Sequence, residues 1–167
     1  AKESGFIRDN LEKAIRLTGI LGYFNSNPLL AENLVLKGGT AINLTVFNLP
    51  RLSVDIDLDF GNSCNKEEML ESRSVINAEI LNYMFTQGYT LSPNTKNPHS
   101  LDSWAFYYQN AGGNKDNIKI EINYSMRNHI YLPVKVKTSI AFFPSVEIQA
   151  LAPLELFGSK IKALIER

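Results

Sequence analysis

The sequence predicts an α/β (α+β) domain, a mixed sheet flanked by helices, from three observations. Residues 54–60, Val-Asp-Ile-Asp-Leu-Asp-Phe, alternate apolar and acidic side chains without a slip, the period of a strand with one greasy and one charged face. Residues 34–44 run from a short apolar strand, Leu-Val-Leu, through Lys37-Gly38-Gly39-Thr40 into a segment of helical character. Two longer stretches, 6–26 and 65–87, place apolar residues at helical spacing.

In chain order, the first helix is expected over residues 6–26, with Ile7, Leu11, Ala14, Ile15 and Leu21 toward the core, and it ends at the Asn-Ser-Asn-Pro breaker of residues 25–28. The strand at 34–36, the glycine turn at 37–40 and a short helix at 41–44 follow, and Leu49-Pro50-Arg51 breaks the chain before the acidic strand. The helix at 65–87 sets Met69, Ile76, Ile80 and Met84 on one face, and Gly88 supplies its C-terminal stop. Residues 104–109 and 117–124 are strands joined by the turn-rich segment 110–116 as a hairpin, and 134–137 and 146–151 add shorter strands. Pro153 suits the first position of a closing helix, with Glu155 in the first turn where the helix dipole favours an acid.

The chain of 167 residues is the length of one domain, and residues 1–167 are read as a single unit without repeat or linker. Its last stretch still reads as helix at Arg167, without Gly, Asn or Pro to end it, so further C-terminal sequence is expected. Apolar residues at 44% and charged residues at 20% exclude a disordered chain, and 17 basic against 17 acidic residues exclude a strong overall field toward nucleic acid. A single cysteine, Cys64, no apolar run of membrane-spanning length and no signal-peptide pattern lead to a cytoplasmic expectation.

On the acidic strand, Asp55, Asp57 and Asp59 share a face. Aspartate is depleted in strands, and like charges on one sheet face repel, so a divalent cation is the natural offset. Mg²⁺ takes hard oxygen ligands, often only one or two carboxylates, and leaves its other positions to water and substrate phosphates. A solvated edge strand would show the same D-x-D. A calcium loop would not fit, because from Asp55 the sixth and twelfth positions are Phe60 and Lys66. Upstream, Gly38-Gly39-Thr40 lies between strand and helix, where backbone N–H groups, a helix N-terminus and the Thr40 hydroxyl suit a phosphate, although a plain turn uses glycines equally well.

The stretch K-G-G-T-A-I-N-L followed by L-P-R-L-S-V-D-I-D-L-D-F resembles the GG[ST]…DxD signature of the polymerase-β-like nucleotidyltransferases, in particular the AbiEii-type abortive-infection toxin family. Arg51, Leu52, Ser53, Asp55 and Asp57 match in order and spacing, and P-L-E-L-F-G-S-K-I-K-A-L-I-E-R is similar to that family's helix bearing a substrate-binding lysine, here Lys160. The resemblance implies Asp55, Asp57 and Glu121 as metal ligands for Mg²⁺ or Mn²⁺, with Gly38, Gly39, Thr40, Ser53 and Lys160 toward a nucleoside triphosphate. Glu121, framed by Ile120 and Ile122, reads equally as an exposed strand glutamate. Lys160 should face the cleft while Phe157, Ile161 and Leu164 pack inward. Asp59, beyond the matched pair, is expected to be peripheral or a solvent-side charge, Lys37 and Arg51 to lie in turn regions within reach of phosphate, and His99 and His129 to have surface or structural roles. The family's further Arg-Asp-hydrophobic-x-Asp segment and helices are not in this sequence.

The implied activity is metal-dependent transfer of a nucleoside monophosphate from an NTP to an acceptor, RNA or tRNA, by the toxin of a toxin–antitoxin or phage-defence system with a cognate antitoxin and no membrane partner. A small-molecule acceptor, a non-catalytic nucleotide- or RNA-binding module, and a structural domain with a solvated acidic edge remain open on the sequence.

Overall fold

A computed structural model describes residues 8–45, 55–93, 95, 97–125, 128–138 and 145–165. Seven strands form one mixed sheet: β1 (Leu34–Lys37), β2 (Asp55–Phe60), β3 (Thr90–Leu91), β4 (Leu101–Gln109), β5 (Lys115–Asn123), β6 (Val134–Lys137) and β7 (Glu147–Ala150). Their order is β3-β4-β5-β2-β1-β7-β6, with β2 parallel to β5, β1 parallel to β7, and the remaining neighbours antiparallel. The acidic strand therefore lies at the centre of the sheet rather than at a solvated edge.

Alternation gives this sheet two unlike faces. Ile56, Leu58 and Phe60 of β2, Trp104 and Phe106 of β4, and Ile118, Ile120 and Ile122 of β5 share one face through the register Trp104↔Ile120↔Ile56, and all are buried. That face is covered by α1 (Arg8–Ser26) and α4 (Lys66–Thr86). Between these two helices the Tyr23 and Tyr83 rings stack at 3.7 Å, and the Tyr23 hydroxyl donates to Glu79. On α4, Met69, Ile76, Ile80 and Met84 are the buried residues, as their spacing predicts. On α1 the buried stripe is Ala14, Leu17, Thr18, Ile20, Leu21 and Phe24, whereas Ile15 is exposed. The true stripe advances by three and four from Ala14, which leaves Ile15 one step off it.

Local signals set the ends of the elements. Asn27-Pro28 ends α1 but also starts α2 (Pro28–Asn33), an element missing from the sequence reading: the Asn27 side chain accepts from the Leu30 N–H, and Pro28 takes the first turn, where its missing N–H costs nothing. Helix α4 opens on a capping box between Asn65 and Glu68. It closes on Gly88 at φ +81°, where the Gly88 and Tyr89 N–H groups return to the Phe85 and Met84 carbonyls. The hairpin strands run longer than expected, 101–109 and 115–123, because polar Asp102 and Ser103 still hold ladder positions opposite Ile122 and Glu121.

Asp102 points to the covered face and is fully buried, so it needs a counter-charge. Arg73 of α4 supplies one, with its Nη2 2.5 Å from Oδ1 and its Nε 3.0 Å from Oδ2, while Asn77 donates to the same carboxylate at 2.8 Å. The Arg73 guanidinium also lies over the Tyr124 ring and donates to the Pro98 and His99 carbonyls, fixing α4 to the β4 entry. Replacing Arg73 by Met strands a buried carboxylate, so Arg73→Met is expected to lower unfolding stability by about 3 kcal/mol, read as a lower urea midpoint at unchanged slope.

Candidate active site

The opposite sheet face collects the acids. Asp55 and Asp57 lie on it together, and the register Asp55↔Lys119, Asp57↔Glu121 and Glu121↔Ser103 sets Lys119, Glu121 and Ser103 beside them. Helix α3 (Gly38–Thr45) begins directly against this row. Gly38 has φ +73°, and a Cβ there would come within 2.9 Å of the Asp57 Cβ and Cγ, so both backbone shape and close approach require glycine. The first turn of α3 thus brings N–H groups that lack intrahelical partners next to Asp57. Thr40 is fully buried and its hydroxyl donates to the Asp55 carbonyl. Expected as a phosphate donor, the Thr40 side chain instead ties α3 to β2.

Asp57 is half-buried, and burial, followed by the negative charges of Glu121 and Asp55, pushes its carboxyl above the ordinary range, with Lys37 and Lys160 offsetting part of this. Glu121 goes the other way. Burial opposes its charge, but Lys119 at 2.9 Å and the Ser103 hydroxyl at 2.8 Å outweigh it and hold the carboxyl below the usual range. Lys119 and Glu121 form a same-strand pair that sets a cation against the acidic row. Lys119 escaped the sequence reading although its two-residue spacing from Glu121 could have found it, whereas Ser103 depends on cross-strand register that the sequence does not state.

Asp59 departs from expectation. It is 3% exposed rather than a solvent-side charge, and the charges of His129 and of Glu155 on helix α5 (Pro153–Ile165) act on it. Lys37, expected in a turn, belongs to β1 and pairs with Asp59 at 2.5 Å. Burial raises the Asp59 carboxyl and Lys37 offsets this, followed by His129. His129 is buried and structural: its Nδ1 lies 3.3 Å from Glu155 Oε1, and the Glu155 carboxylate also accepts the Ile130 and Tyr131 N–H groups. His99 is exposed in a turn.

Lys160 is exposed on α5 and close enough for its charge to act on Asp57. Its helix does not pack as expected, since Leu156 is its buried residue while Ile161 and Leu164 are 58% and 72% exposed and Phe157 is half-buried. The helix is held at its first turn and by α3, and the apolar stripe beyond points away from the sheet. Arg51, Leu52 and Ser53 lie outside the described residues.

The donor set suits a hard divalent cation: two carboxylates on adjacent same-face positions, one of them kept short of counter-charge, beside helix N–H groups that favour phosphate. Among the described residues, no group of three or more His, Cys, Asp and Glu side chains is gathered as a metal cage, because Glu121 is turned to Lys119 and Ser103. No helix among them is long and apolar enough to cross a membrane.

Residues 20–167 match the family described as nucleotidyl transferase AbiEii toxin, type IV TA system. No curated protein matches. Of the solved structures, MenT4, a nucleotidyltransferase toxin from Mycobacterium tuberculosis H37Rv, superposes with TM-score 0.61 at 16% identity over 93% of this chain and 53% of that one. JHP933 from Helicobacter pylori gives 0.57 at 17% over 94% and 58%, and another H. pylori structure 0.60 at 18% over 93% and 59%. At these identities the likeness is one of fold, and the chain spans little more than half the length of each of these structures. With the family matched across most of its length, the chain belongs to the AbiEii nucleotidyl transferase toxins.

Proposed function

We propose that the intact protein is a metal-dependent nucleotidyltransferase that moves a nucleoside monophosphate from an NTP to an RNA acceptor, with tRNA the leading candidate. The observation that carries this reading is the packing of the Gly38 turn against Asp57, which sets a phosphate-binding helix start beside two carboxylates on one open sheet face.

Asp55 and Asp57 would hold Mg²⁺ or Mn²⁺, with Glu121 completing the site, and the ion when bound neutralises charge on the phosphate oxygens and lowers the pKa of an attacking hydroxyl. The first turn of α3, through the Gly38 and Gly39 backbone, receives the triphosphate, and Thr40 positions that turn through the Asp55 carbonyl. Ser53 is assigned beside the triphosphate on the family match alone. Lys160 offsets negative charge at the Asp57 end. In the transfer, the acceptor hydroxyl oxygen bonds to the α-phosphorus, the bond from that phosphorus to the α–β bridging oxygen breaks, and pyrophosphate leaves with that electron pair. Glu121, kept ionised by Lys119 and Ser103, takes the hydroxyl proton. We further propose a cytoplasmic location and a cognate antitoxin.

One observation favours a second reading, a nucleotide-binding module without turnover: the Glu121 carboxylate is engaged by Lys119 rather than gathered with the aspartates. Metal-dependent triphosphate binding without label transfer to any acceptor would select it.

Asp57→Asn separates structure from catalysis. A carboxyl whose folded pKa is raised contributes stability below its unfolded pKa and loses it as pH rises through the folded value, so at neutral pH the Asp57 charge destabilises the metal-free fold. Asp57→Asn is expected to raise metal-free stability by about 0.5 kcal/mol, through loss of a same-face like-charge contact, while abolishing transfer from labelled NTP. Asp55→Asn should abolish transfer likewise, and full transfer by either variant would overturn the assignment. Because Asp57 keeps its proton to a higher pH than an ordinary aspartate, Mg²⁺-dependent triphosphate binding should fade on acidification before ordinary carboxylates titrate. Lys160→Ala should weaken triphosphate binding several-fold, on the order expected for one lost charge contact, without changing the unfolding midpoint. Calorimetric titration with a non-hydrolysable triphosphate measures both.

A further inference from the structure

The acidic row continues into a surface that the transfer chemistry leaves unused. From Glu121 back along β5, the residues on the site face are Lys119, Asn117 and Lys115, and opposite them on β4 stand Ser103, Ala105, Tyr107 and Gln109. None of these seven is acidic. The strip runs about 20 Å from Glu121 to Lys115 at the rise of a β-strand. At its far end Lys115 Nζ lies 3.6 Å from the centroid of the Tyr107 ring, and Tyr107, Lys115, Gln109 and Thr90 line an open cleft of ≈ 350 Å³. The helices α1 and α4 cover the other face, as the Lys13–Asp116 and Arg16–Tyr108 contacts show, and on this one Lys115 and Gln109 are exposed while the other five residues keep part of their surface.

We infer that this strip is the acceptor track, holding the single-stranded end of an RNA with a base stacked at Tyr107 and the backbone passing Lys115 and Lys119 toward Asp55 and Asp57. The inference rests on the RNA-acceptor reading above and deepens it. An aromatic ring ordered by a neighbouring cation, flanked by amide side chains and lacking acids, has the make-up of a sequence-tolerant single-strand site. A protein partner would favour an apolar core. The exposed large apolar residues lie elsewhere, on helices and at Ile130 to Leu132. The strip also joins the catalytic row without a break, because Lys119 is hydrogen-bonded to Glu121 and in register with Asp55.

The test is fluorescence anisotropy of a labelled oligouridylate at several salt concentrations, without metal or triphosphate. The wild type should bind with an affinity that falls with salt. Tyr107→Ala should weaken binding about tenfold, as loss of one stacked base does, and Tyr107→Phe should retain it. Lys115→Glu, at an exposed position that forms no ion pair among the described residues, should weaken binding and reduce the salt slope by about one ion. Unfolding midpoints and Mg²⁺-dependent triphosphate binding should not change. If Tyr107→Ala loses fold, Lys115→Glu decides. Oligouridylate binding that neither variant alters, or that the wild type lacks, overturns the track, and the latter result leaves the face to a protein partner. A wild type that binds the oligouridylate through Tyr107 but transfers no label sinks the enzymatic reading alone.

Discussion

The architecture turns on one strand with two opposite obligations. Strand β2 must bury Ile56, Leu58 and Phe60 against helices while presenting Asp55 and Asp57 to solvent, and period-two alternation makes both hold only in a single register. A slip of one residue would drive three carboxylates into the core. Central placement between β1 and β5 enforces the register from both sides, and it is also what puts Lys37, Lys119 and Glu121 next to the acids. The site is therefore a by-product of sheet pairing, with α3 added at the one point where a glycine lets backbone touch Asp57.

Along β2 the three aspartates meet a gradient. Asp55 is exposed, Asp57 half-buried and Asp59 buried, and each step inward makes an uncompensated charge more costly. The protein neutralises the innermost with Lys37 and leaves the outer pair short of positive charge. Lys119 is close enough to reach Asp55 and Asp57 electrostatically but spends its hydrogen bond on Glu121. The remaining deficit of positive charge sits at Asp57, where a divalent cation would be stabilised.

Most of this was legible because period and turn chemistry are local. The alternation of β2, the glycine turn, the buried stripe of α4 and the Gly88 stop each follow from a few adjacent residues. What escaped depends on partners far away in sequence. Asp59 reads as peripheral or solvent-side until β1 supplies Lys37 and the fold buries it. Asp102 lies before the strand expected at 104–109, and its buried place shows only once Arg73 reaches it from α4. Asn27-Pro28 was read as a stop because the same pair that ends one helix caps the next. The face of α5 was misjudged for a related reason: its apolar spacing shows that a stripe exists, not what lies opposite it.

That last point bears on how Lys160 is held. An isolated helix of about a dozen residues is marginal in water, so α5 depends on its docked first turn. Glu155 provides the docking, bound to His129 and to the Ile130 and Tyr131 N–H groups, and Leu156 adds the buried apolar anchor. Lys160 lies one turn beyond this anchor, near enough to act on Asp57, while Ile161, Leu164 and Ile165 stand exposed on the outer turns. The cation is thus placed by the same segment whose His129 and Glu155 charges act on Asp59. Strand β1 neutralises the inner end of the acidic row through Lys37, and α5 positions charge near its middle through Lys160, leaving the outer end, Asp55 and the β4–β5 strip, open to what the protein binds.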